Sequence, residues 1–145
     1  MRIQYLIFHI ENEYYAIAVE SVVEIIPMLE IRRIPDGPAF LEGIINLRGD
    51  LIPVMDMTKR LGLERRSYKQ GTRIIVIHMK QRLLGLVIDH ADDIREAEHE
   101  ESVLNKPENP FISGILLQDD KMIQVLVPDQ ILSSAEAQQL LKSDF

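Results

Sequence analysis

Sliding the chain against itself by 71 positions places Phe40, Gly43, Ile44, Ile52 and Val54 on the identical residues Phe111, Gly114, Ile115, Ile123 and Val125, without a gap. Leu41, Ile45, Leu51 and Met55 fall on Ile112, Leu116, Met122 and Leu126. Upstream, an offset of 69 lays Tyr5 to Ile25 over Ile74 to Ile94 and matches His9 with His78, Ala16 with Gly85, Ile17 with Leu86, Glu20 with Asp89 and Glu24 with Asp93. Self-similarity at a fixed period constrains architecture before any local propensity does. It predicts one domain over 1–145 made of two like units, about residues 3–70 and 72–130, each forming its own subdomain. Each unit reads as a strand, a polar turn, a second strand, a Pro-bearing loop, then Phe-x-x-Gly-Ile and another strand pair.

Strand signals dominate both units. Tyr5 to Ile10, the polar Glu11-Asn12-Glu13 and Tyr14 to Val19 read as a hairpin, as do Arg73 to Met79, Lys80-Gln81-Arg82 and Leu83 to Ile88. Their apolar residues run continuously instead of alternating, which suits strands covered on both faces. A second kind of hairpin turns at Arg48-Gly49-Asp50 and again at Gln118 to Lys121, where Gly49 tolerates a positive φ. Pro35, Pro38, Pro107 and Pro110 punctuate the long connections, because proline cannot donate to a central ladder. Helix is scarce. Asp56 is placed to cap a short helix through Leu61 that Gly62 stops, and Ser133-x-x-Glu136 is a capping box for a terminal helix over about 134–142, with Ala137, Leu140 and Leu141 as its apolar stripe.

With 145 residues, 46% hydrophobic and 27% charged, the composition is that of an ordinary globular domain. No apolar run approaches the ~20 residues of a spanning helix. Met1-Arg2 leads directly into Tyr5-Leu-Ile-Phe-His9 without a signal-peptide core, so a cytoplasmic address is expected, and the absence of cysteine agrees with it. A net charge of -7 argues against nucleic acid as a partner, since phosphate binding needs a basic field. Charge is polarised locally: Lys59, Arg60, Arg65, Arg66, Lys69 and Arg73 face only Glu64 in their stretch, whereas the stretch from Asp89 to Glu101 is acidic apart from Arg95. Solvated loops and complementary docking surfaces both account for this pattern.

Catalytic constellations are not found. There is no cysteine, no Gly-x-Ser-x-Gly elbow, no Gly-x-x-x-x-Gly-Lys loop and no Gly-x-Gly-x-x-Gly. The best metal candidate is Asp89-His90-Ala91-Asp92-Asp93 with His99 downstream, a rival reading as a small metal-dependent enzyme. Neighbouring strand residues such as Asp89 and His90 point to opposite faces, whereas ligands must converge, so neither metal nor cofactor is expected. His9 and His78 occupy equivalent strand positions and read as structural residues. The remaining reading is a binding module.

The segment Gly43-Ile-Ile-Asn46-Leu-Arg48-Gly49, followed by Ile52-Pro53-Val54-Met-Asp56, closely resembles the signature of CheW-like chemotaxis coupling proteins. Glu13-Tyr14, Val22-Val-Glu24-Ile25, Ile34-Pro35, Pro38-Ala-Phe40, Arg60-Leu-Gly62-Leu63 and Gly85-Leu-Val-Ile88-Asp89 extend the likeness over about residues 3–142. The resemblance implies a mainly β fold of two SH3-like five-stranded β-barrels packed together. It also implies a non-enzymatic scaffold that links the cytoplasmic tips of methyl-accepting chemoreceptors to the regulatory domain of a CheA-type histidine kinase. Such a scaffold works at the inner face of the membrane without inserting into it, and pairing of like barrels assembles rings. By position in the motif, Val22, Glu24, Asn46, Arg48 and Gly49 fall at the receptor groove. Ile25, Pro27, Met28 and Leu29 are candidates for the kinase interface, with ordinary core as their alternative. Arg48 has a second reading too, as a buried fork that braces the two barrels through carbonyls or an acid such as Glu24. Ala18 and Val127-Pro128-Asp129 depart from the family pattern, and no fused receiver domain is expected in the stretch to Phe145. The same fold in a surface-motility or cyclic-dinucleotide pathway is the alternative function. Asn46-Leu47-Arg48-Gly49 has no echo in the second unit, which reads Leu117-Gln118-Asp119-Asp120, and that difference marks the place for specific function.

Overall fold

The computed structural model describes residues 2–64, 67–98 and 109–142 of the chain. Its strands are β1 (Arg2–Ile10), β2 (Glu13–Ala18), β3 (Val22–Pro27), β4 (Gly43–Leu47), β5 (Asp50–Asp56), β6 (Arg73–Met79), β7 (Arg82–Ile88), β8 (His90–Glu98), β9 (Ile112–Gln118) and β10 (Lys121–Leu126). Helix α1 (Met57–Leu61) follows β5, and α2 (Ser134–Lys142) ends the described chain. The hairpin loops have two residues, Glu11–Asn12 and Lys80–Gln81, one fewer than the polar triplets in the sequence.

Hydrogen bonding groups the strands into two five-stranded sheets, ordered β8-β1-β2-β10-β9 and β3-β6-β7-β5-β4. The duplication is visible residue by residue in the registers. Tyr5 faces Ala18 as Ile74 faces Val87, and Gly43 faces Val54 as Gly114 faces Val125. The two halves do not, however, each close a sheet of their own, and the expectation of contiguous subdomains is corrected here. Hairpin β1–β2 joins β8, β9 and β10 of the second unit, while β6–β7 joins β3, β4 and β5 of the first. The units have exchanged hairpins.

The continuous apolar runs explain why. Leu6, Phe8, Ile10, Tyr15 and Ile17 from one exchanged hairpin meet Ile75, Ile77, Met79, Leu84, Leu86 and Ile88 from the other in the largest core, between the sheets. Their alternate residues point the other way. Tyr5, Ile7 and Ala16 pack with Leu116, Ile123 and Val125 inside the first sheet. Ile74, Val76 and Val87 pack with Ile45, Ile52 and Val54 inside the second. Only strands apolar on both faces can serve two cores at once, and these hairpins sit where that is required.

Each sheet curls until its edges are bridged. Glu24 on edge strand β3 pairs with Arg48 in the turn leaving the opposite edge strand β4. Arg95 on edge strand β8 pairs with Asp119 in the turn leaving β9, at 3.3 Å. This is the pair of SH3-like barrels implied by the resemblance. At Gly43 a side chain is excluded, since a Cβ would lie 2.1 Å from the carbonyl oxygen of Arg32, which pairs with Ile44 in an isolated bridge.

The helices begin where local chemistry directs. Asp56 accepts hydrogen bonds from the Thr58 N–H (3.0 Å) and hydroxyl (2.7 Å), and Gly62 ends α1 in the left-handed region. The Ser133 N–H donates to Glu136 Oε1 at 2.9 Å while the Glu136 N–H donates to Ser133 Oγ at 3.1 Å, a complete capping box. Ala137 and Leu140 of the expected stripe are buried; the side chain of Leu141 lies outside the described residues. Across to α1, Glu136 Oε2 accepts from Arg60 at 2.6 Å. Burial alone would raise the Glu136 carboxyl, but the Arg60 and Ser133 hydrogen bonds and the Arg60 charge outweigh it and hold the carboxyl below its ordinary range.

Candidate functional site

The hairpin joining β4 and β5 turns on Arg48 (φ 52°) and Gly49 (φ 94°), both with positive φ, the geometry that matches the right-handed twist of paired strands. Arg48 has no glycine's freedom, so the turn needs outside support. Asn46 supplies it: its Oδ1 accepts from the Gly49 N–H at 2.8 Å. The turn then carries the Arg48 guanidinium across the open end of the second barrel to Glu24.

A β-bulge places Glu24 there. Val22 faces Ile77 and Glu24 faces Val76, so Val23 is the extra residue. Opposed residues share a face, and Ile77 and Val76 point to opposite sides. Val22 therefore leans on the core between the sheets, while Glu24 stands over the barrel's own interior. Of the five residues placed at the groove by sequence, the structure joins Glu24 to Arg48 and Asn46 to Gly49, and turns Val22 away on the other face. Arg48 is not the buried brace between barrels that its fork of donors first indicated. Its side chain is 70% exposed, and both partners belong to one sheet.

Among the proposed kinase-facing residues, Ile25 and Pro27 are exposed, whereas Met28 and Leu29 are half-buried against the second barrel's core. Sequence reading missed another apolar surface. Leu117 and Met122 face each other across β9 and β10 at 58% and 59% exposure, and Ile94 on β8 is exposed as well. The signal was in the repeat, since Ile94 and Met122 occupy the positions of Ile25 and Leu51, themselves exposed.

The equivalent end of the first barrel is a charge-inverted version of the same arrangement. Asp119 (φ 51°) and Asp120 (φ 62°) take the places of Arg48 and Gly49 in a turn of the same shape. A bulge recurs at Asp92, between the Phe8–Ala91 and Ile7–Asp93 pairs. Here the cation is on the strand, where Arg95 contacts Asp93 (2.9 Å) as well as Asp119. The Ile94 N–H, and then Arg95, hold the Asp93 carboxyl below the usual carboxylate range.

The acids of the metal candidate diverge. Asp89 accepts from the Glu11 N–H, Asp92 Oδ2 lies 2.9 Å from His9 Nδ1, and Asp93 is engaged by Ile94 and Arg95. Among the described residues no group of three or more histidines, aspartates and glutamates converges on one point. His99 lies outside the described residues, as do Arg65 and Arg66 of the basic stretch, Glu100 and Glu101 of the acidic one, and Pro107. Also among the described residues, a groove of about 620 Å³ runs between the β6–β7 turn and α2, lined by Met79, Ala137 and Leu140 with Lys80 and Arg82 at its rim. No helix of the described residues is long and apolar enough to cross a membrane.

Two five-stranded sheets curled around separate cores, with polar turns, the exposed Leu117–Met122 pair and the exposed Ile25, Leu51 and Ile94, define a double-barrel class of protein without a converging catalytic or metal cluster among the described residues. The sequence profile of the CheW-like domain family matches residues 4–136. Chemotaxis protein CheW of Klebsiella aerogenes is 30% identical over 139 residues, covering 92% of this chain and 83% of that protein. The CheW of Bacillus subtilis is 29% identical and covers 92% and 88% of the two chains. The crystal structure of the scaffolding protein TtCheW from Thermoanaerobacter tengcongensis superposes with a TM-score of 0.81 at 30% identity, covering 92% of this chain and 89% of that one. The chain belongs to the CheW-like family: it is a non-enzymatic scaffold and adaptor protein of chemotaxis.

Proposed function

We propose that this scaffold couples the cytoplasmic tips of chemoreceptors to the regulatory domain of a CheA-type histidine kinase, in arrays at the inner face of the membrane. The observation that carries the reading is the Asn46-supported turn that holds Arg48 beside Glu24 at the barrel end, since it gives a purpose to the one stretch that the second unit does not repeat. Asn46, Arg48, Gly49 and Glu24 form the receptor side, with Val22 supporting β3 from beneath. Ile25 and Pro27 form the kinase side, while Met28 and Leu29 shape it from the core. Like barrels pairing end to end extend the contact into rings. Signal passes by differential binding: a linker with equal affinity for two receptor states would shift nothing, so the contacts must favour one state.

Sedimentation of the chain with a soluble fragment of the receptor tip and with the kinase regulatory domain tests the reading. Association with each is expected, and association with neither would overturn it. Arg48→Glu is expected to weaken receptor association about tenfold, equivalent to ~1.4 kcal/mol, and Lys69→Glu, on an exposed loop, to leave it unchanged. Equal effects of the two would remove Arg48 from the site. The pair Glu24→Arg with Arg48→Glu restores opposite charges at the barrel end, so binding that recovers in the double variant assigns the Arg48–Glu24 pair a bracing role, and binding that stays low assigns the pair a direct contact with the receptor.

A further inference from the structure

Four strand pairings lie within one repeat unit, and each is a hairpin: β1 with β2, β4 with β5, β6 with β7 and β9 with β10. The other four, β1 with β8, β2 with β10, β3 with β6 and β5 with β7, all join different units. Among the described residues, then, each unit holds only two separate hairpins of its own, with one isolated bridge in the first, and an isolated hairpin is marginal in water. The main core is likewise shared between units, and the Arg60–Glu136 pair ties the first unit to α2 beyond the second. What makes these contacts intramolecular is the covalent connection between β5 and β6. Beyond the Gly62 stop of α1 that connection is exposed at Glu64 and from Ser67 to Gly71, and Lys59, Arg60, Lys69 and Arg73 give the stretch from α1 to β6 an excess of positive charge over Glu64.

We propose that a second copy of the chain can supply the missing unit. Two molecules whose units separate about the connection between β5 and β6 form a reciprocal dimer in which the first unit of each completes both barrels with the second unit of the other. Every strand pairing between and within units is kept, so the two states differ in the path of the connection and in its own contacts, Leu63 on the main core and Tyr68 on Asp56. Their balance is set by protein concentration against the effective concentration of the tethered unit, which is in the millimolar range for a short flexible connection. Exchange requires breaking all four pairings between units, so it happens during folding and is frozen in the folded molecule. The inference rests on topology and is independent of the receptor and kinase assignment.

The chain has no cysteine, which permits a direct test. Arg2 and Glu98 face each other across β1 and β8, one of the pairings between units, and both are exposed. Arg2→Cys and Glu98→Cys chains are unfolded in denaturant, mixed, refolded together at about 5 µM and about 0.5 mM, the latter approaching the tethered regime, and oxidised. A disulfide-linked peptide joining positions 2 and 98 of different chains is expected to rise at least about tenfold between the two concentrations, as a bimolecular step requires. It is expected to be absent when the variants are refolded separately and then mixed. The unmodified chain, refolded at the same two concentrations, is sized by light scattering. Monomer alone at both concentrations overturns the proposal, and so does a dimer that lacks the 2–98 link while the doubly substituted chain oxidises internally.

Discussion

Gly43 and Gly49 are both glycines with positive φ, yet the structure separates their costs. A methyl group at Gly43 meets the Arg32 backbone at 2.1 Å, whereas at Gly49 nothing lies within 4 Å. Gly43→Ala must break the Arg32–Ile44 bridge and is expected to cost about 3 kcal/mol, against about 1 kcal/mol of backbone strain for Gly49→Ala. Urea midpoints of the two variants check the order, and equal shifts would contradict it. Tyr15 supplies an alkaline prediction. Burial in the central core, and then the Glu13 charge, push its phenol from 10.0 up to about 12. A raised folded pKa means that the neutral phenol's contribution is complete below pH 10 and is lost as pH rises through about 12. Tyr15→Phe is therefore expected to move the alkaline unfolding limb to higher pH, followed by tyrosinate absorbance and circular dichroism.

Among the elements, α2 depends on its first turn. The depressed Glu136 carboxyl adds stability above its ordinary pKa of 4.5 that is lost as pH falls through the lower folded value. Gln at this position keeps the cap hydrogen bond but not the charge on Arg60, so Glu136→Gln should lose about 1 kcal/mol near neutral pH and converge with the parent protein in acid. Thermal melts at several pH values would show that convergence or its absence. Both helices were legible in the sequence because caps are local: Asp56, Gly62, Ser133 and Glu136 act within one turn. Strand β8 was not. It carries Asp92, Asp93, Glu96 and Glu98 without alternating apolar residues and reads as a solvated acidic stretch. Such charges are what an edge strand uses to discourage further pairing, but its position at the edge is a property of the sheet. The bulge at Val23, which sends Val22 and Glu24 to opposite faces, is likewise set by the partner strand.

For the molecule as a whole, hairpin exchange predicts one unfolding transition. Neither barrel has a complete sheet without strands from both halves of the chain, so half-molecule intermediates lack a structure to occupy. Phe8→Ala removes a fully buried ring from the core between the sheets and should cost about 3–5 kcal/mol. Hydrogen exchange should show the amides of β4 and β9, one at the edge of each sheet, losing protection together. If β4 kept its protection while β9 lost it, the barrels would be independent after all.

From the order of amino acids alone it follows that the chain is duplicated, that its strands form hairpins at these turns, that two hairpins are apolar on both faces, and that Asn46 to Gly49 is where the halves part. These are local or periodic facts, and side-chain chemistry encodes them within a few residues. Which hairpin pairs with which unit emerges only in the folded chain. Offsets of 69 and 71 are equally compatible with each unit closing on itself and with exchange, because both satisfy the same registers and bury the same residues. The meeting of Arg48 with Glu24 within one barrel is of the same kind, since that contact exists only once the sheet has curled far enough to bring its two edges together.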